Sequence, residues 1–163
     1  MFTGIVTAIG TIAAAEHRGD LRLRIAAPLD PAALTMREAQ SLTGHPGIVF
    51  TEIGPDFVTA TMPVDRHTVQ IHGRLNGGAS VALAETVASM AANMTLDPQR
   101  QAAVGLEINA NHLRPVRSGL VHATARPEAM GRSTQVWSIR ISDDAGRPVC
   151  IARMTLAVIA LER

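Results

Sequence analysis

Lysine and tyrosine are absent from this 163-residue chain, so all 15 basic residues are arginine, and Phe2, Phe50, Phe57 and Trp137 are its only aromatics. So few rings exclude the stacking platforms on which single-stranded nucleic acids are held. The formal net charge is +1 and no run of arginines stands out, which removes the electrostatic footprint of a phosphate-tracking protein. The lone cysteine, Cys150, excludes a disulfide framework and points to a reducing compartment. Apolar runs such as Val81 to Ala84 and Leu156 to Leu161 fall far short of the roughly 20 residues that span a bilayer. The opening MFTGIVTAIGTIAAAE has no basic stretch and is interrupted by Thr and Gly, so it does not read as a signal peptide. The expectation is a soluble, cytoplasmic protein with no nucleic-acid or membrane partner.

Catalytic motifs of several classes are missing as well. The six histidines show neither H-x-x-x-H nor His/Cys spacing, so no metal is expected. There is no Walker loop, no G-x-G-x-x-G and no G-x-S-x-G elbow. What the chain does have is apolar content: 47% hydrophobic against 18% charged excludes disorder, and the length suffices for one stable core.

Patterning predicts an α+β protein. Residues 1–30 read as a hairpin, with strand character in TGIVTAIGTI and LRLRI and turn chemistry at His17-Arg18-Gly19-Asp20. Asp30-Pro31 marks the start of a short helix that Gly44 stops, with a loose stripe of Leu34, Met36, Ala39 and Leu42. GIVFTEI, the turn Gly54-Pro55-Asp56 and FVTATMPV predict strand, turn, strand. After a loop, Asn76-Gly77-Gly78 opens a long Ala-rich helix over about 77–96, which Asp97-Pro98 stops. Four strands follow in AAVGLEINANHL, GLVHATARP, STQVWSIRIS and PVCIARMTLAVIAL, with Asp143 to Gly146 turning between the last two. This order implies an antiparallel sheet.

The central helix is small or apolar on nearly every face, as expected when a sheet curls around it. Its one ionisable residue, Glu85, has no Lys or Arg at i±3 or i±4. Buried, such a carboxylate would mark a site; alternatively Glu85, Ser89 and Asn93 form a solvated stripe. Gly77 and Gly78 put bare N–H groups at the positive end of the helix, which can stabilise a developing oxyanion, or they merely fit a tight helix entry. Eight residues separate Gly77 from Glu85, roughly 12 Å along the axis. If both act on one carbonyl, two antiparallel helices from two subunits must share the work.

TATMPVD (59–65), LNGGASVALAETVAS (75–89), GLEINANHLRPVRSG (105–119) and GRSTQVWSIRI (131–141) together resemble the hotdog-fold acyl-CoA thioesterases, more narrowly the branch acting on 1,4-dihydroxy-2-naphthoyl-CoA and other aryl-CoA esters. The resemblance covers residues 31–163 and implies a sheet wrapped around the helix, dimers assembling into a tetramer, and no cofactor beyond the coenzyme A of the substrate. It implies that Glu85 is nucleophile or general base, that Gly77 and Gln70 polarise the thioester carbonyl, and that Ser89 orients the water. His112, Arg114 and Arg117 would meet coenzyme A, and the Gly131-Arg132-Ser133 turn would continue that surface; the planar fork of arginine suits phosphate. Two departures matter: Asn76 stands where the family has His in His-Gly-Gly, and Ile71-His72 replaces the Pro-Phe that follows Gln. Asn76 keeps hydrogen bonding but loses titration, which leaves a non-catalytic module binding acyl-CoA or an acyl carrier as the alternative. Residues 1–30 resemble the opening hairpin of riboflavin synthase. They are too few for its barrel, so an accessory hairpin is expected, with a flavin or lumazine binder as a third reading.

Overall fold

The computed structural model describes residues 11–18, 20–26, 30–38 and 41–161. The chain divides into two compact units, Met1–Asp30 and Pro31–Arg163.

In the first unit, β1 (Thr11–Arg18) and β2 (Asp20–Ala26) form an antiparallel two-stranded ladder. The ladder pairs Ile12 with Ile25 and Arg18 with Asp20, with a bulge after Ile12. The chain thus reverses between Arg18 and Asp20, inside the expected turn, although His17, Arg18 and Asp20 are themselves ladder residues. Most of the expected first strand, residues 3–10, lies outside the described residues.

The second unit opens with α1 (Pro31–Glu38), shorter than the expected run to Gly44. Gly44 and His45 donate instead to the Ser41 carbonyl, closing a separate turn. Of the proposed stripe, Leu34 packs on the core and Leu42 is exposed, while Ala39 lies outside the described residues. The strands β3 (Val49–Ile53), β4 (Val58–Pro63), β5 (Gln101–His112), β6 (Leu120–Met130), β7 (Thr134–Asp143) and β8 (Pro148–Ala160) form one antiparallel sheet in the order β3-β4-β6-β7-β8-β5. This is the α+β architecture that the patterning and the resemblance imply.

The sheet wraps α2 (Gly77–Asn93), which touches β4, β5, β6, β7 and β8. Its buried residues are Ser80, Leu83, Ala84, Val87, Ala88, Ala91 and Ala92, a broad stripe at helical spacing. Opposite them lie Ala60 and Met62 of β4, Ala123 and Ala125 of β6, Ile139 and Ile141 of β7, and Met154 and Leu156 of β8. Alanine on both layers lets the helix sit close to the sheet. The helix ends at Asn93, earlier than expected from Asp97-Pro98, because Met94, Thr95 and Leu96 already fold back onto the carbonyls of Met90, Ala92 and Asn93. Buried polar groups lock this end: Trp137 donates Nε1–H to Gln135 Oε1, and Gln135 donates to Thr95 Oγ1, both at 2.9 Å. Cys150 is buried as a small core residue.

One edge of the sheet is the short β3; the other is the 12-residue β5. β5 carries neither Pro nor Lys, the usual means of blunting an edge. A bulge makes Leu106 the extra residue between Gly105, paired with Leu156, and Glu107, paired with Thr155.

Candidate active site

Asn76 is the N-cap of α2, and its Oδ1 accepts the Gly78 N–H at 2.8 Å. Gly77, as the first helical residue, has no intrahelical acceptor for its own N–H, and that group bonds to nothing among the described residues. The cap therefore fixes the orientation of one free amide at the positive end of the helix. Asn76, proposed at the reaction centre from its place in the motif, has its side-chain oxygen committed to the helix entry.

The loop before α2 folds back beside this amide. Val69 bridges Leu75, Gln70 N–H donates to the Arg74 carbonyl at 2.8 Å, and Asn76 N–H donates to the Thr68 carbonyl at 2.8 Å. Gly73, with φ of +68°, supplies the left-handed residue this tight turn requires. The Gln70 side-chain oxygen accepts the His72 N–H, leaving its amide NH2 as the outward donor. Ile71 and His72, which replace the family's Pro-Phe, are both exposed at the tip.

The segment after β5 runs past the same helix entry. Leu75 N–H donates to the carbonyl of buried Val116 at 2.8 Å, holding the stretch that carries Arg114 and Arg117, both exposed. His112, the last residue of β5, lays its ring against Gly77: a Cβ at 77 would meet His112 Nε2 at 2.9 Å and Cε1 at 3.2 Å. Gly77, Gln70, His112, Arg114 and Arg117 thus gather at one end of α2.

Glu85 does not belong to this group. It lies two turns along α2, and it is exposed in the single chain, which decides for Glu85 between the two alternatives in favour of the solvated stripe over the buried carboxylate. The helix is not covered all round; its Glu85 side faces past edge strand β5 and not into the sheet. Glu85 Oε1 lies beside Gly105, where a Cβ would come within 3.2 Å of it. Ser89, one turn on, is half-buried with Oγ 3.9 Å from Met154 Sδ. Asn93, third on this stripe, is not a solvated residue. Its amide donates to the carbonyls of Ala103 (3.0 Å) and Ser89 (2.9 Å), and its Oδ1 accepts Ala103 N–H at 2.9 Å. It thereby pins the start of β5 to the helix. Sequence reading missed this clamp, although an Asn at i+8 from Glu85 on an apolar helix was a signal.

The turn at Gly131, Arg132 and Ser133 is at the other end of the sheet. Ser133 accepts the Val158 N–H, and Val158 pairs with Ala103 at the opposite end of β5 from His112. Nine residues of strand, on the order of 30 Å, separate the two places. Within one chain the turn therefore does not continue the surface of Arg114 and Arg117, contrary to expectation. Gly131 is needed for the turn itself, since a Cβ there would meet the Thr134 carbonyl at 2.9 Å.

A model of the Thioesterase superfamily matches residues 72–150, from the Gln70 turn to β8. The proofreading thioesterase EntH of Cronobacter sakazakii is 44% identical over 127 residues, covering 78% of this chain and 92% of its own. Among solved structures, a mutant thioesterase from Pseudomonas aeruginosa is 47% identical with a TM-score of 0.81, over 82% of this chain and 96% of that one. A thioesterase from Haemophilus influenzae is 46% identical with a TM-score of 0.80, over 83% and 94%. A free helix amide, a carboxylate two turns away and this similarity along most of both chains lead to one assignment: the chain belongs to the Thioesterase superfamily and is a hotdog-fold enzyme of the thioester-hydrolase class.

Proposed function

We propose that the protein hydrolyses acyl-CoA thioesters, with aryl or hydroxyaryl acyl groups as its substrates, at sites shared between two copies of the chain. The observation that carries this reading is the separation of Gly77 and Glu85 along a single straight helix, with both groups accessible. One thioester cannot touch both within a chain. Isologous antiparallel pairing of β5 with its counterpart would bring the two α2 helices alongside each other in opposite directions, so that one copy's Glu85 approaches the other's Gly77. The long unblunted edge of β5 and the exposed Val104 and Leu106 support that pairing. The same two-fold carries the partner's Gly131–Ser133 turn to the end of the joined sheet where Arg114 and Arg117 lie, which restores a continuous surface for the phosphates of coenzyme A. Further pairing of dimers into a tetramer, in the cytoplasm, follows the family pattern.

In the reaction, the thioester oxygen accepts from Gly77 N–H and the Gln70 amide. Glu85 of the other copy takes a proton from water positioned by Ser89, and the water oxygen attacks the carbonyl carbon. The oxyanion collapses, the C–S bond breaks, and the proton passes from Glu85 to the departing thiolate, giving a carboxylic acid and free coenzyme A. Neither a metal nor a further cofactor takes part in any step. The commitment of Asn76 to the helix cap removes the feature that favoured a non-catalytic binding module, because the amide donor does not depend on a titratable residue at 76.

The test is thiol release from a panel of benzoyl-, hydroxybenzoyl-, naphthoyl- and straight-chain acyl-CoAs. Glu85→Gln preserves size and removes the base, so turnover should drop about 10²–10⁴-fold with coenzyme A binding intact. Turnover retained within a few-fold would sink the mechanism, and preference for straight-chain substrates would sink the aryl assignment.

A further inference from the structure

We infer that His112 is a catalytic residue of this enzyme, its Nε2–H serving as a third donor to the thioester oxygen beside the Gly77 and Gln70 amides. The inference rests on the proposed reaction at Gly77 and changes the part assigned to His112, which the motif placed on coenzyme A. Three observations carry it. The imidazole edge closes on Gly77, with Nε2 the ring atom nearest to the position of a Cβ, at 2.9 Å. The absence of a side chain at 77 is what leaves the N–H and the ring open to one small group. Neither ring nitrogen bonds to any described residue, so both remain available to a ligand. Asn76, whose side chain adjoins the same amide, has its oxygen held by the Gly78 N–H at 2.8 Å, which fixes that side chain on the cap.

The first turn of α2, which faces the ring, carries no acidic side chain, and the strand partner of His112 on β8 is Cys150, whose thiol is buried and held in its protonated form by burial. In the proposed step His112 donates a hydrogen bond and transfers no proton. Negative charge arrives on the carbonyl oxygen as water adds and leaves again when the C–S bond breaks, and the proton that the thiolate collects comes from Glu85.

The test compares His112→Ala and His112→Gln with wild type, using benzoyl-CoA and steady-state kinetics. A lost oxyanion donor costs roughly 10²–10³ in kcat. His112→Ala should show that fall in kcat with KM changed less than about threefold, and His112→Gln, which can still donate, should recover at least about tenfold of it. A rise in KM with kcat unchanged in His112→Ala would return His112 to coenzyme A binding and overturn the inference. A kcat loss that His112→Gln does not relieve would also overturn it, because it would show that a hydrogen-bond donor is not what the site lacks. Failure of the underlying reaction is seen separately, as full activity in Glu85→Gln.

Discussion

Replacing Gly77 by alanine separates catalysis from stability at the helix entry. The added methyl would sit 2.9 Å from His112 Nε2, about 0.5 Å short of the 3.4 Å at which ordinary contact begins. The ring is exposed and at the end of its strand, so it can retreat without disturbing the core. Folding should therefore lose nothing, and alanine in place of glycine should add up to about 1 kcal/mol of helix stability. Activity should fall steeply, because the methyl and the displaced imidazole occupy the space of the thioester oxygen. Loss of one aligned donor corresponds to about 2.7–4 kcal/mol of transition-state stabilisation, or 10²–10³ in kcat. The assay is thiol release together with a thermal melt of the same sample. Mixing unfolded Gly77→Ala and Glu85→Gln chains and refolding them extends the test. Half the random dimers are hybrids, and each hybrid carries one site with both groups intact, so ~25% of wild-type activity should return. If Gly77→Ala is fully active, the amide is not the oxyanion donor. If the mixture stays inactive, the two groups do not meet across a dimer.

Two further predictions concern the frame that holds these groups. Asn93→Ala removes the clamp on Ala103 and leaves a backbone N–H and C=O without their partner, at a cost of about 1–3 kcal/mol in urea unfolding; an unchanged midpoint would show that β5 does not need it. Acid should weaken the fold through the β7–β8 turn. The Arg147 side chain and backbone N–H hold the Asp143 carboxyl below its ordinary range, and the Leu120 N–H with His122 does the same for Asp144. A carboxylate lowered in the folded state contributes its full stabilisation above the ordinary Asp range and loses it as pH falls through the lowered folded value. Urea midpoints should thus decline below about pH 4, and Asp143→Asn should flatten that decline; an equally steep profile in the variant would remove this turn as the cause.

The fold was legible because its signals are local and repeated. Alternating apolar residues in the last four segments read as strands, and an Ala-rich run opened by Asn-Gly-Gly reads as a helix packed on the sheet. Ends were less legible. α1 stops at Glu38 and α2 at Asn93 because backbone groups find turn partners there, and such bonds leave little trace in composition. At the site, the residue types were readable and their neighbours were not.

What the sequence determined by itself is the α+β architecture, the lone carboxylate on the helix, the bare amide at its start and the distance between them, since helix pitch fixes that distance. Tertiary structure alone decided which groups share a place. It carried His112 from the end of one strand onto Gly77, 35 positions away in the chain, and put the Gly131 turn at the far end of the sheet from Arg114. It left Glu85 exposed beside Gly105 and turned Asn93 from a solvated residue into a clamp. The physical reason is strand register. Sliding a strand by one residue reverses the side each residue faces, and its pairing sets which end meets the helix; neither quantity is written in the composition of the strand.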